Sequence, residues 1–210
     1  MSMTPPSAAR TPPRAHAQGG GACARRRLLA GGAVALAGLA AGLGAAPARA
    51  DIPAGLVTGT MHRFLRTVPP RPMPDLEFLD AQDRPMRLAD STGKARLINL
   101  WATWCAPCVK EMPSLDRLAA ALPRDRFLIL PISLDSSSKP KVAPFYKEQK
   151  LGHLGIYFDK GRKAMSTLGV TLLPTSILVD PAGRELGRIE GDADWDSPEA
   201  IALMRAAAAA

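Results

Sequence analysis

After residue 50 the chain carries two cysteines, Cys105 and Cys108, separated by Ala106 and Pro107. A disulfide between them would close almost no loop, so it could restrict the unfolded chain very little and would be a poor structural staple. The spacing suits chemistry instead. Two thiols about one helical turn apart can close to a disulfide, and each can attack a disulfide formed by the other. A zinc site would need two further ligands at partner spacing, and no His/Cys pair follows, so neither a metal nor a cofactor is expected.

The reactivity of such a pair depends on what holds it. Arg96 to Trp101 is a short apolar run bounded by Gly93 and the cysteine motif, the pattern of a buried strand. From about Ala106 to Leu122, apolar residues at 112, 115, 118, 119 and 122 follow helical spacing. A strand handing over to a helix puts Cys105 at the helix N-terminus, where unpaired backbone N–H groups and the macrodipole favour an anion. A thiolate there is acidified and becomes the attacking nucleophile. Cys108 lies one turn inside, placed to resolve the mixed disulfide. Pro107 falls in the first turn, which has no donor to lose, while Pro113 is expected to kink the helix. Trp104 would shield one side of the nucleophile.

The remaining elements form a small α/β domain. Leu76, Phe78 and Arg87-Leu88 flank Asp80-Ala81-Gln82-Asp83 as an N-terminal hairpin. Phe127 to Leu134 reads as a second buried strand, and Val142 to Lys150 and Arg162 to Leu168 as helices. Thr175 to Val179 and Glu185 to Ile189 form a hairpin around Asp180-Pro181-Ala182-Gly183. Ser197 caps a last helix starting at Pro198. The resulting fold class is α/β, a central mixed β-sheet flanked by helices with an N-terminal β-hairpin extension. The expected organisation is a leader over residues 1–50, a Pro-rich extended lead-in over 51–74 and one domain over 75–210.

The net charge of +8 belongs mostly to the leader, whose six arginines face no carboxylate. The rest holds 21 basic and 19 acidic residues, which gives no electrostatic reason to bind nucleic acid. Arg25-Arg26-Arg27 precedes an Ala/Gly/Leu run from Leu28 to Ala46, and Ala48-Arg49-Ala50 offers the small residues a signal peptidase needs, with Asp51 first in the mature chain. Arg26-Arg27-Leu28-Leu29 suits the twin-arginine variant as well as the general one. An uncleaved run would anchor the domain in the inner membrane, and either outcome puts it in the periplasm. Cys23 precedes the apolar run, where a lipoprotein cysteine would follow it.

Trp101-Ala102-Thr103-Trp104-Cys105-Ala106-Pro107-Cys108 with Lys110-Glu111-Met112-Pro113 resembles the TlpA/ResA branch of the thioredoxin superfamily. Leu172-Leu173-Pro174-Thr175-Ser176-Ile177-Leu178-Val179-Asp180 and the Gly191 to Asp196 stretch with Trp195 are similar to its later motifs. The resemblance implies a thioredoxin-like fold and thiol-disulfide exchange through a redox-active Cys105–Cys108 disulfide. It implies that Pro174 is a cis-proline beside the cysteines and that Leu173 offers its backbone to an extended substrate. It also implies that Glu111, on the helical face of Cys108, has a raised pKa and takes the Cys108 proton. Where ordinary thioredoxins carry a buried Asp, this chain has Asn99, which cannot take up a proton.

The implied partners are oxidised periplasmic proteins, namely assembly factors or subunits of a copper-containing oxidase, or haem-attachment cysteines in cytochrome c maturation. A membrane thiol transporter would donate electrons, and the chain is expected to be a monomer. The direction of exchange stays open, since potentials of such pairs span about −270 to −120 mV. An oxidant or isomerase, or a peptide-binding module without turnover, uses the same groove. A thiol peroxidase would need a threonine at another offset than Thr103. His62, His153 and the eight methionines lack ligand spacing. Asp192, Asp194 and Asp196 lack the glycine and distal glutamate of a calcium loop.

Overall fold

The computed structural model describes residues 51–135 and 139–210, so the expected leader lies outside the described residues. Eight strands form one mixed sheet: β1 (Leu65–Pro72), β2 (Glu77–Asp80), β3 (Pro85–Arg87), β4 (Ala95–Trp101), β5 (Phe127–Ser133), β6 (Tyr157–Asp159), β7 (Thr175–Val179) and β8 (Arg184–Glu190). Among the described residues four α-helices accompany them: α1 (Ala106–Ala121), α2 (Lys139–Glu148), α3 (Ala164–Leu168) and α4 (Pro198–Ala207). The strand order is β1-β8-β7-β4-β5-β6-β2-β3. β4 is central and buried along its whole length, parallel to β5 and antiparallel to β7. Among the described residues no helix is long and apolar enough to cross a membrane.

Side chains alternate across β4 because strand periodicity is two. Ile98 and Leu100 join the core that contains Leu130, Ile132, Ile177 and Val179. Leu97 and Trp101 join the opposite core, with Met112, Leu115 and Leu118 of α1 and Leu203 and Met204 of α4. Asn99 lies between Leu97 and Trp101 in this alternation and therefore meets α1. On α1 the buried positions 108, 111, 112, 115 and 118 follow helical spacing. Glu111 is thus carried on the inward face, opposite Asn99.

One sequence expectation is revised. The 51–74 stretch, expected as an extended lead-in, is built into the domain. It makes two 3₁₀ turns, buries Ile52, Met61 and Phe64, and then forms edge strand β1 against β8. Proline is compatible with such a strand because one side needs no ladder donors, and the pairing breaks between Arg66 and Arg71. α1 runs unbroken from Ala106 to Ala121 with Pro113 inside it. β6 is a further element beyond those expected. It pairs through Tyr157 and Phe158 with the end of β5, and along its length with β2.

Candidate active site

β4 ends at Trp101, and a turn closed by Cys105 N–H donating to Ala102 C=O (3.1 Å) delivers the chain into α1. Asp135, just past β5, fastens this turn. Its carboxylate accepts from the Thr103 N–H (2.9 Å), the Thr103 hydroxyl (2.7 Å) and Ser133 Oγ (2.8 Å). Cys105 is the N-cap of α1, with Pro107 in the first turn, and its Sγ accepts from the Cys108 backbone N–H at 3.3 Å. The two cysteines are joined, with an S–S distance of 2.01 Å. Cys105 is 7% exposed and Cys108 is fully buried, so only the first sulfur offers a face to a partner.

Beside Cys105 in the chain stand Trp104, 68% exposed, and exposed Pro107, and Leu172, two residues before Pro174, is exposed as well. The Leu173–Pro174 peptide bond is cis. β7 begins at Thr175, which pairs with Leu100, so Pro174 is brought to the end of the sheet where Trp101 leads into the cysteine turn. Pro174 is buried and Leu173 half-buried.

Glu111 lies one turn beyond Cys108 and is 3% exposed. Its Oε1 accepts from Asn99 Nδ2 at 2.7 Å, and its Oε2 accepts from the Ala193 N–H at 3.0 Å and the Trp195 indole N–H at 3.1 Å. Burial pushes its pKa up to about 7, and the three donors, which favour the charged form, only partly offset that. The β8–α4 loop that supplies two of these donors is zipped along α1. Lys110 pairs with Asp192 at 2.8 Å, Ser114 Oγ accepts from Trp195 N–H at 3.1 Å, and Arg117 pairs with Asp196 at 2.5 Å. Asp192 and Asp196 are thereby used as partners of α1. A polar cleft of about 460 Å³, lined by Thr60, His62, Lys110, Ser114 and Asp192 among others, leads to Glu111 from a side without Trp104, Cys105 or Leu173.

The structure brings Cys105, Cys108 and Glu111 together on one face at the start of α1, with Trp104, Pro107, Leu173 and Pro174 at the same end of the sheet. Sequence reasoning passed over Asp135 and the contact of Trp195 with Glu111. Asp135 had no signal beyond an acid at a strand end, whereas Trp195 lay inside a motif already noted for its resemblance.

A thioredoxin-like fold with a dithiol pair joined across a helix N-terminus defines the class of thiol-disulfide oxidoreductases. Residues 69–184 match the AhpC/TSA family, and the chain belongs to that family, on its TlpA/ResA-like side. It is 33% identical over 119 residues to the thiol-disulfide oxidoreductase ResA of Bacillus thuringiensis subsp. konkukian, covering 57% of this chain and 68% of that protein. A Chlorobium tepidum structure assigned as the thiol:disulfide interchange protein DsbE superposes with a TM-score of 0.59 at 24% identity, covering 66% of this chain and 96% of the other. A Bacteroides vulgatus structure assigned as a thiol-disulfide oxidoreductase gives 0.56 at 28% identity, covering 65% and 94%. The chain is accordingly an enzyme of thiol-disulfide exchange.

Proposed function

We propose that this chain is an exported reductant of protein disulfides in which Cys105 attacks, Cys108 resolves and Glu111 takes the Cys108 proton. In the reduced form, Cys105 thiolate attacks one sulfur of a partner's disulfide, forming a mixed disulfide and expelling the partner's other sulfur as thiolate. The Cys108 thiol then passes its proton to Glu111 and attacks Cys105 Sγ. That step releases the second partner sulfur and closes the Cys105–Cys108 bond. The partner gains two electrons and the chain loses two.

The observation that carries this reading is the buried Glu111 carboxyl one turn beyond Cys108. Its pKa, raised to about 7 by burial, matches a group that gains and loses a proton near neutral pH. Trp104, Pro107, Leu173 and Pro174 form the surface against which an extended substrate would lie. The Arg-headed apolar segment before residue 51 supports export to the periplasm, by cleavage after Ala50 or by anchoring in the inner membrane.

The substrates are disulfides in copper-site assembly factors or subunits of a terminal oxidase, or haem-attachment cysteines of cytochrome c, and a membrane thiol transporter resets the pair. The domain acts as a monomer. Cys108→Ser tests this reading, because it stops turnover and leaves partners covalently bound to Cys105 for identification. Recovery of no disulfide-linked partner from periplasm would contradict it. A potential near −120 mV on equilibration with glutathione would make the chain an oxidant instead.

A further inference from the structure

The Glu111 carboxyl has two unlike ends. Oε2 faces a backbone N–H (Ala193) and an indole N–H (Trp195), and neither can accept a hydrogen bond. A proton on Oε2 would be set against two donors. Oε1 faces the Asn99 side-chain amide, whose Nδ2 donates to it at 2.7 Å and to Ser176 Oγ at 2.9 Å. The other end of that amide, Oδ1, is buried and has no hydrogen-bond partner.

We propose that the proton taken up by Glu111 resides on Oε1, and that Asn99 is a positioning residue that follows it, its amide turning by half a rotation so that Oδ1 accepts where Nδ2 donated. The two ends of an amide are nearly the same in shape and opposite in hydrogen-bonding sense. A half-turn therefore keeps both contacts and reverses them. Oε1–H donates to Oδ1, and the Ser176 hydroxyl, which can give as well as take, donates to Oδ1 too. Nδ2 moves to the place where Oδ1 stood. One neutral side chain thus matches both protonation states of the acid, whereas an aspartate at 99 would compete for the proton and a leucine would match neither state.

This inference rests on Glu111 as the proton acceptor for Cys108. The proton leaves the Cys108 thiol, is held on Oε1 and is later lost to water. Charged and titratable groups face Glu111 from several elements. α1 presents Cys108, Lys110 and Arg117, the β8–α4 loop presents Asp192 and Asp194, and His62 and Arg63 lie across the cleft. Lys110 and Arg117 are tied to Asp192 and Asp196. β4 and β7 present the neutral Asn99 and Ser176, so the reversal is confined to uncharged partners.

Nuclear magnetic resonance on the oxidised full-length protein tests this, since neither cysteine titrates in that form. The Glu111 carboxyl carbon is followed from pH 5 to pH 9. Nuclear Overhauser contacts of the Asn99 Nδ2 protons with the Glu111 γ-protons and Ser176 β-protons should be present at pH 9. They should vanish by pH 5 with the Glu111 midpoint, while the Trp195 indole proton stays bonded throughout. In Glu111→Gln the Asn99 orientation should not change with pH. Titration of Glu111 with the Asn99 contacts retained at both ends, or loss of the Trp195 bond at pH 5, would overturn the proposal and leave the base reading intact. A Glu111 that does not titrate in this window overturns the base reading and this proposal with it.

Discussion

The indole Nε1 of Trp195 donates to Glu111 Oε2 at 3.1 Å, although the two residues are 84 positions apart in the chain. This contact ties the proton affinity of an acid on α1 to a loop at the far end of the sequence.

Removing the donor should therefore shift the acid. Trp195→Phe keeps an aromatic ring in the core but takes one hydrogen bond from the charged form of Glu111, so the carboxyl pKa should rise. The pH midpoint of the exchange rate should move up with it. Urea unfolding should show a larger loss at pH 9, about 2 kcal/mol, than at pH 5, because hydrogen bonds to a charged group are the stronger ones. Equal losses at both pH values would mean that Trp195 serves packing alone.

Glu111 itself should make the fold less stable in alkali. Its folded pKa of about 7 lies above the ordinary 4.5, so the folded state binds the proton more tightly than the unfolded chain does. The stabilisation is complete below about pH 4.5 and is lost as pH rises through about 7. The difference across that window is on the order of 3 kcal/mol for this one carboxyl. Unfolding of the oxidised wild-type and Glu111→Gln proteins from pH 4 to pH 9 should show this decline in the first and not in the second.

Asp135 should hold the cysteine turn. Asp135→Ala strands the Thr103 N–H and removes the acceptor of the Thr103 and Ser133 hydroxyls, a loss of about 2 kcal/mol. Hydrogen exchange at the Thr103 amide should accelerate more than exchange at the central β4 amides, and thiol exchange should slow. An unchanged Thr103 protection would show that the turn is held by other contacts.

Gly187 should resist any side chain. A Cβ there would stand 2.5 Å from the Leu65 carbonyl oxygen and from the Phe64 ring, and a backbone atom cannot swing aside. Gly187→Ala should push β1 off β8 and lower the melting temperature by several degrees, about 4 °C for each kcal/mol lost in a domain of this size. A melting curve coinciding with wild type would contradict this docking of β1.

The elements around the cysteines were legible because their signals are local. Strand 96–101 is a short, mostly apolar run of Leu97, Ile98, Leu100 and Trp101 bounded by the cysteine motif, α1 repeats at helical spacing, and Ser197-Pro198 starts α4 as a cap followed by proline should. β1 was hidden because Val68-Pro69-Pro70-Arg71-Pro72 reads as a chain poor in ladder donors, and its place at the sheet edge makes that harmless. β6 has three residues, too few to show any period. Within the site, Cys105, Cys108 and Glu111 are neighbours on one helix, so their spacing brings them together. Asn99, Asp135 and Trp195 reach the same place from β4, from the end of β5 and from the β8–α4 loop, and no pattern within any one segment encodes that meeting.

The central claim is that Cys105, at the head of α1, is the attacking sulfur. The most direct measurement is alkylation of the fully reduced protein with limiting iodoacetamide across pH, with the modified residue located by mass spectrometry. The account predicts modification of Cys105 ahead of Cys108, with a midpoint well below the value of about 8.5 for free cysteine. Equal labelling of the two residues, or a Cys105 midpoint at or above that value, would contradict it.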